Sequence, residues 1–495
     1  VYILKTAEGI ELQCKPVFQL LAEIASKYEP SKAEEITWIP EELIHKAAQM
    51  MGAIKPVCLH TFTGIEQNTN AAQAGRAIHI LYALTGCFDS PGGNVVHHWP
   101  PSFMNAIAGD EILDPKVIER RVGFKEHPLS SHARGEADFY DIYDAIINEK
   151  PYPIKAGIAF GCNCLVLTCD ARKCYEALKK LEFLAAAELF LTPTVDLFAD
   201  IVLPAASTWE SEHVGIWCFI IGFMHLPNYM QLRRAVVPPL YERWPDMKII
   251  FELAKRLGIG DKFWNGDIEA AFNYMIAPSG YTVDDLRKNP RGIALPYNVK
   301  YRKYAERNPS TGGYVGVNTK TKKIEIFCTA YRELGYPPLP DFEEPAISPV
   351  SKPELAKRFP LILIDARRRG FTQSQFHGLP SLRKRIPYPY VEIHPKTAEE
   401  LGIKDGDWVY IETIYGKCRQ QAKVTDNIHP KVVCATFGWW QSCPQLGLPC
   451  SDPLSEEGAN FALLVTSEYK DPILGSVPLN GILCRIFKAK GDTNS

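Results

Sequence analysis

The chain has 495 residues, 46% of them hydrophobic and 23% charged, which excludes a disordered polypeptide and allows about three domains. Its formal net charge of -2 favours neither nucleic acid nor an acidic membrane surface as a partner. No apolar run is long enough to span a bilayer.

Residues 1–53 read as mostly helical. Val17, Leu20, Leu21 and Ile24 recur at helical spacing, and Pro40 opens a second helix with Leu43, Ile44, Ala47 and Met51 on its apolar face. Residues 56–62 (PVCLHTF) predict a strand. It runs into a polar loop carrying Gly64, Gln67 and Asn70, then into an amphipathic helix ending near Thr85. Strand, polar loop and helix form the βα unit that sets ligand groups at the carboxyl end of a parallel sheet. The turn Asp89-Ser90-Pro91-Gly92-Gly93-Asn94 follows, then His97 and His98.

A second α/β unit is expected from residue 154. Residues 154–160 predict a strand, Gly161-Cys162-Asn163 its loop, and 170–180 a helix capped by Asp170. Residues 183–187 predict the next strand, ending on Glu188. A carboxylate there is either an acceptor for ribose hydroxyls or a solvated loop group. The glycine fingerprint of nicotinamide-binding folds is absent. Cys162, Cys164, Cys169 and Cys174 lack the paired spacing of metal knuckles, so they read as thiols in a strand-to-helix loop, with no metal assigned. Most of the 14 cysteines sit in apolar runs, as buried reduced thiols do.

Residues 200–204 predict a short strand, 247–257 a helix and 322–327 a strand; the Pro-rich run 336–353 reads as a semi-extended linker. Beyond it, residues 361–385 (LILIDARRRGFTQSQFHGLPSLRKR) predict a buried strand emptying into a cationic loop with Arg367, Arg368, Arg369, Arg383, Lys384 and Arg385. Guanidinium forks match phosphate oxygens, so the loop suits a phosphate-bearing anion; the bland alternative is a solvated basic loop. Short strands at 391–394, 407–413, 419–424 and 432–440, separated by glycine turns, predict a small β-barrel.

Three stretches, TGCFDSPGGN (85–94), ADIVLPAASTWESEHVG (199–215) and VEIHPKTAEELGIKDGDWVYIET (391–413), resemble the molybdopterin oxidoreductases of the dimethyl sulfoxide reductase superfamily, in that family's order. The run 457–488 is similar to a branch containing thiosulfate/polysulfide reductase-like subunits and acetylene hydratase. The resemblance implies two Rossmann-like α/β units with parallel sheets plus a C-terminal double-psi β-barrel-like domain. The expected divisions are 1–150 (the C-terminal part of a pterin-binding domain), 151–335 (a guanine-dinucleotide-binding domain), 336–355 (linker) and 356–495 (barrel).

It also implies a bis-molybdopterin guanine dinucleotide cofactor with molybdenum or tungsten. Carried over by position, Gly64, Gln67 and Asn70 lie near one pterin, with Gly93 and Asn94 passing close to it. Glu188, Thr192 and Asp200 hold one guanosine. Arg367, Ser374 and Arg383 meet the other dinucleotide, and Asn460 adds an amide. His97 and His98 become candidate proton shuttles, because an unperturbed imidazole has a pKa of about 6.5.

Two departures stand out: Phe371-Thr372-Gln373 where many relatives carry a histidine, and a cysteine in the loop Gly161-Cys162-Asn163-Cys164-Leu165 where proline is usual. The chain opens at Val1, without the family's cluster motif and metal-ligating residue. It therefore reads as the C-terminal two-thirds of such an enzyme, with an iron–sulfur cluster expected only upstream. The implied function is the catalytic-subunit portion of an oxidoreductase acting on a small-molecule substrate. The alternatives are a non-redox hydratase or transhydroxylase, and a cofactor-binding fragment without activity of its own. By analogy an iron–sulfur electron-transfer subunit and a membrane-anchor subunit are expected partners, and nucleic acid is not. Substrate, metal and compartment, cytoplasmic or periplasmic, lie beyond these residues.

Overall fold

The computed structural model describes residues 2–95, 103–105, 113–130, 135–216, 229–296 and 299–489. The chain divides into two compact units. One comprises 1–66, 70–98 and 296–343, the other 67–69, 99–295 and 344–495.

The first unit opens with an antiparallel hairpin, β1 (Tyr2–Lys5) and β2 (Glu11–Cys14), in a stretch expected to be mostly helical. Gly9, at φ +81°, makes its turn. Helices Val17–Ala25, Pro30–Thr37, Glu41–Ala53 and Ala71–Leu84 follow. The expected strand over 56–62 forms no ladder among the described residues. Instead the Asn94 amide serves as its neighbour. Asn94 Oδ1 accepts from the Leu59 N–H and its Nδ2 donates to the Leu59 carbonyl, both at 2.7 Å. The strand expected over 322–327 is also absent, because Lys322 sits at φ +59° and turns the chain.

In the second unit, β3 (Ala156–Phe160), β4 (Phe183–Glu188) and β5 (Ile201–Pro204) form a parallel sheet, in register Ala156↔Phe183 and Ala185↔Ile201. The crossover helix Ala171–Lys179 is capped as expected: Asp170 accepts from the Lys173 N–H at 3.2 Å. Its apolar side, Cys174, Ala177 and Leu178, packs with Tyr143, Ile146 and Leu165. A second sheet was not foreseen. β6 (His213–Ile216), β7 (Tyr229–Arg233) and β8 (Ile293–Ala294) pair antiparallel. Met230 and Leu232 from it pack on Phe272, Ile276 and Leu286 of two helices, Ile268–Ile276 and Val283–Lys288.

The last six strands close a barrel: β9 (Leu361–Ala366), β10 (Tyr390–Ile393), β11 (Trp408–Glu412), β12 (Lys417–Val424), β13 (Val432–Thr436) and β14 (Ile482–Lys488). Around the barrel they run β10-β12-β11-β14-β9-β13. Two pairs, β10–β12 and β9–β13, are parallel. Alternation sends Val391, Ile393, Val409, Ile411, Cys418 and Val433 inward, each fully buried. The parallel α/β sheet and the C-terminal barrel are thus both present.

Candidate dinucleotide site

The carboxyl end of the parallel sheet is built by three loops. After β3, Gly161 turns at φ +57° and donates its N–H to the Ala187 carbonyl at 3.0 Å, holding this loop beside the end of β4. Asn163 follows, 2% exposed. Its Oδ1 accepts from the Thr194 hydroxyl at 3.1 Å, and the Thr194 oxygen accepts from the Leu165 N–H at 3.1 Å. The Asn163 Nδ2 is buried and has no partner among the described residues. A buried amide donor left unpaired is costly, so it marks a place where an acceptor is missing.

Glu188 closes β4. Its carboxylate accepts only from its neighbour's N–H, Leu189, at 3.1 Å, and no basic side chain pairs with it among the described residues. Burial pushes its pKa up, and the charge of Asp246 adds to the rise. Thr192 stands nearby as the N-cap of helix Pro193–Phe198, its Oγ1 accepting from the Val195 N–H at 3.3 Å. Asp200 does not join them. It precedes β5, so it lies at the amino end of the sheet, where its N–H and carboxylate both grip Leu184 at 2.8 Å. Four residue steps along β4 separate Leu184 from Glu188, about 13 Å. Asp200, expected with Glu188 and Thr192 at one guanosine, thus stands at the opposite end of the sheet from Glu188.

The cationic loop after β9 divides into inner and outer arginines. Arg368 is 6% exposed and knots the barrel: it donates to the Thr436 hydroxyl at 3.0 Å and to the Tyr390 and Cys434 carbonyls at 2.8 Å, and pairs with Glu392 at 3.3 Å. Arg383, 1% exposed, donates to the carbonyls of Pro387, His377 and Gln441, and stacks over Trp439. Those bonds make Arg383 a brace for its own loop. Arg367 is half-buried. It pairs with Asp365, reaches Gln67 Oε1 at 3.4 Å and stacks over Phe437. Ser374 is buried, and its carbonyl accepts from the Trp440 indole N–H at 2.7 Å. Arg369, Lys384 and Arg385 are exposed and make no side-chain hydrogen bond or ion pair among the described residues. Gly370 lies against Leu382, so the two cationic stretches run close together.

Asn460 is fully buried. It donates to the carbonyls of Leu165 and Pro453 and accepts from the Ala462 N–H, which ties the barrel to the loop after β3. In the first unit, Gly64 lies in the single helical turn Thr63–Glu66, and Asn70 donates to the Asp341 carbonyl at 3.0 Å. A Cβ on Gly93 would strike the Cys87 carbonyl at 1.9 Å, so this position admits only glycine. Asn94 is engaged with Leu59, as above. His97 and His98 lie outside the described residues.

Among the described residues no group of three or more histidine, cysteine or acidic side chains is arranged to hold a metal ion. No helix among them is long and apolar enough to cross a membrane.

Two groups thus fit a nucleotide: an unpaired amide donor and a carboxylate without a cation, both at the carboxyl end of a parallel sheet. Three exposed cations in the second loop fit phosphate. Asn163 escaped the sequence reading as a site residue. Its signal was its position, in the turn after the first strand of a βα unit.

Comparison with known proteins points the same way. Residues 24–256 match the family described as molybdopterin oxidoreductase, and 361–483 the molydopterin dinucleotide binding domain. The chain is 29% identical to acetylene hydratase of Syntrophotalea acetylenica, over 95% of this chain and 66% of that protein. It is 26% identical to dopamine dehydroxylase of Eggerthella lenta, over 97% of this chain and 54% of that protein. Thiosulfate reductase molybdopterin-containing subunit of Salmonella typhimurium is 23% identical over 85% of this chain. The solved structure of acetylene hydratase from Pelobacter acetylenicus matches with a TM-score of 0.82 at 27% identity, covering 95% of this chain and 66% of that one. The chain thus spans between about half and two thirds of these relatives.

Proposed function

The chain belongs to the molybdopterin oxidoreductase family of the dimethyl sulfoxide reductase superfamily, a family of molybdopterin-dependent enzymes, and from that premise we propose that it is the dinucleotide-holding portion of a catalytic subunit. Its ligand in this reading is a bis-molybdopterin guanine dinucleotide carrying molybdenum or tungsten. The observation that carries the reading is that the cation-free Glu188 carboxylate and the orphaned Asn163 amide both stand at one sheet end. The Glu188 carboxylate accepts from ribose hydroxyls or the guanine edge, and Asn163 Nδ2 donates to a nucleotide oxygen. Arg369 and Arg385, with Lys384, neutralise phosphate. Arg367 is held by Asp365 and Gln67 at the mouth of β9 and orients toward the same ligand class. Within the first unit, Gly93 and Asn94 fix the turn after helix Ala71–Leu84.

Bound, the pterin-held metal supplies redox or Lewis-acid chemistry, while the protein binds and orients it. An iron–sulfur cluster, an electron-transfer subunit and a membrane anchor accompany this portion in the proposal, with a small molecule as substrate.

A second reading, a non-redox hydratase, is favoured by the likeness to acetylene hydratase over 95% of the chain. Assays of the complete enzyme with artificial electron carriers separate the two, since a hydratase turns over with no net electron transfer.

The binding claim is tested by calorimetric titration of the protein with guanosine diphosphate. Wild type is expected to bind, and Glu188→Gln to bind roughly tenfold more weakly, the worth of one charge-assisted hydrogen bond. No binding by wild type, or equal binding by the variant, overturns the proposal.

A further inference from the structure

The loop after β3 holds a second chemistry that the dinucleotide reading does not use. Cys162 and Cys164 flank Asn163, and their Sγ atoms lie 3.0 Å apart. Disulfide closure needs them about 1 Å nearer, since the bond is about 2.05 Å long. Cys162 is half-buried and reachable from solvent, whereas Cys164 is 7% exposed and lies behind it. That is the arrangement of an attacking thiol and a resolving thiol. Cys169, in the same sequence cluster, is fully buried and its surroundings include Tyr140 and Asp170 rather than the other sulfurs.

We propose that Cys162 and Cys164 are a dithiol modification site, which low-molecular-weight disulfides convert to an intramolecular Cys162–Cys164 bridge. The Cys162 thiolate attacks one sulfur of oxidised glutathione and expels a glutathione thiolate. The Cys164 thiolate then attacks the Cys162 sulfur of that mixed disulfide and expels the second. Two protein S–H groups lose two protons and two electrons, one S–S bond forms, and one glutathione disulfide becomes two thiols. A ring closed over a single intervening residue is strained, and strained disulfides are the reducible ones, so the bridge opens again with excess thiol.

The thiols' surroundings set the pH at which this runs. The pairing with Cys164, then burial, holds the Cys162 thiol well above its usual range. For Cys164 the contact with Cys162 acts downward, but its pairing with Cys174 and its burial win, and it is pushed up to about 12. Because the thiolate is the nucleophile, exchange is slow near neutrality and quickens as pH rises. Glu188 contributes to the rise at Cys162, which places this thiol within electrostatic reach of the sheet-end carboxylate.

The site stands on the thiols alone and does not depend on which nucleotide the chain binds. The test uses the intact protein. It is incubated with oxidised glutathione at pH 7 and at pH 9, quenched with N-ethylmaleimide and mapped by peptide mass spectrometry. The expected result is that Cys162 and Cys164 lose their maleimide labels together, their shared peptide lighter by two hydrogens, and faster at the higher pH. Cys164→Ser is expected to stop at a glutathione adduct on Cys162, and Cys174→Ala to close the bridge as wild type does. Retention of both labels at pH 9, or a bridge from Cys164 to Cys174 instead, overturns the inference.

Discussion

The side-chain amide of Asn460 donates to the carbonyl of Leu165 at 2.7 Å, across 295 residues of sequence. The same nitrogen donates to the Pro453 carbonyl, and its oxygen accepts from the Ala462 N–H. One buried amide thus joins the barrel to the loop that carries Cys162, Asn163 and Cys164. Asn460→Ala leaves two buried carbonyls and one N–H unpaired. We expect a loss of about 2–4 kcal/mol in stability, read from the urea midpoint. Asn460→Asp is expected to fare no better, because it replaces a donor with a charge facing two carbonyl oxygens.

The inner and outer arginines of the cationic loop predict opposite phenotypes. Arg368→Met removes a buried guanidinium that meets Thr436, Tyr390, Cys434 and Glu392, and is expected to cost about 3 kcal/mol. Arg369→Ala and Arg385→Ala touch nothing in the described fold and are expected to shift stability by less than about 0.5 kcal/mol. Both are instead expected to weaken binding of inorganic pyrophosphate and flatten its salt dependence, measured by titration at two ionic strengths. A stable Arg368→Met, or unchanged pyrophosphate binding in both outer variants, contradicts the division.

That division shows what a sequence carries and what it leaves out. The barrel was legible because strict alternation over β11 and β12, with glycine turns between, admits few other folds. The parallel sheet was legible from apolar runs ending at Gly161 and Glu188. Charge alone does not say whether a guanidinium faces a ligand or the carbonyls of its own loop, so Arg383 read like Arg369 although one is a brace and the other is exposed. Asp200 shows a related gap: composition does not say at which end of a strand a neighbouring carboxylate stands, and its bond to the Leu184 N–H puts it at the amino end. The stretch 56–62 has strand composition, but its pairing partner is the Asn94 side chain, a contact no periodicity encodes.

His377 provides a pH test. It is 1% exposed between Phe371 and Trp439, each with ring centroids 4.5 Å away, and its Nδ1 has no partner among the described residues. Burial, reinforced by the Arg383 charge, lowers its pKa to about 3. The folded chain therefore refuses a proton that the unfolded chain accepts below about pH 6.5. Stability is unaffected above that pH and falls as pH drops from there toward 3, by at most about 1.4 kcal/mol per pH unit. His377→Gln is expected to flatten this part of the profile, measured by urea unfolding from pH 7 to 4. An unchanged slope assigns the acid sensitivity to other groups.

Glu188 carries the opposite sign. Burial raises its pKa, so the ionised form is disfavoured in the fold. Its contribution to stability is fully present below the ordinary carboxyl pKa and is lost as pH rises through the raised value. Binding runs the other way, because only the carboxylate accepts two hydroxyl hydrogen bonds. Guanosine diphosphate affinity is expected to fall as pH is lowered through the raised pKa, while Glu188→Gln binds weakly at every pH and gains stability in the neutral range. Titrations of wild type and variant from pH 8 to 5, paired with unfolding curves, check both halves. Parallel affinity profiles for the two proteins would remove Glu188 from the nucleotide site, whereas a stability gain without a binding change would leave it as a buried carboxylate with no ligand.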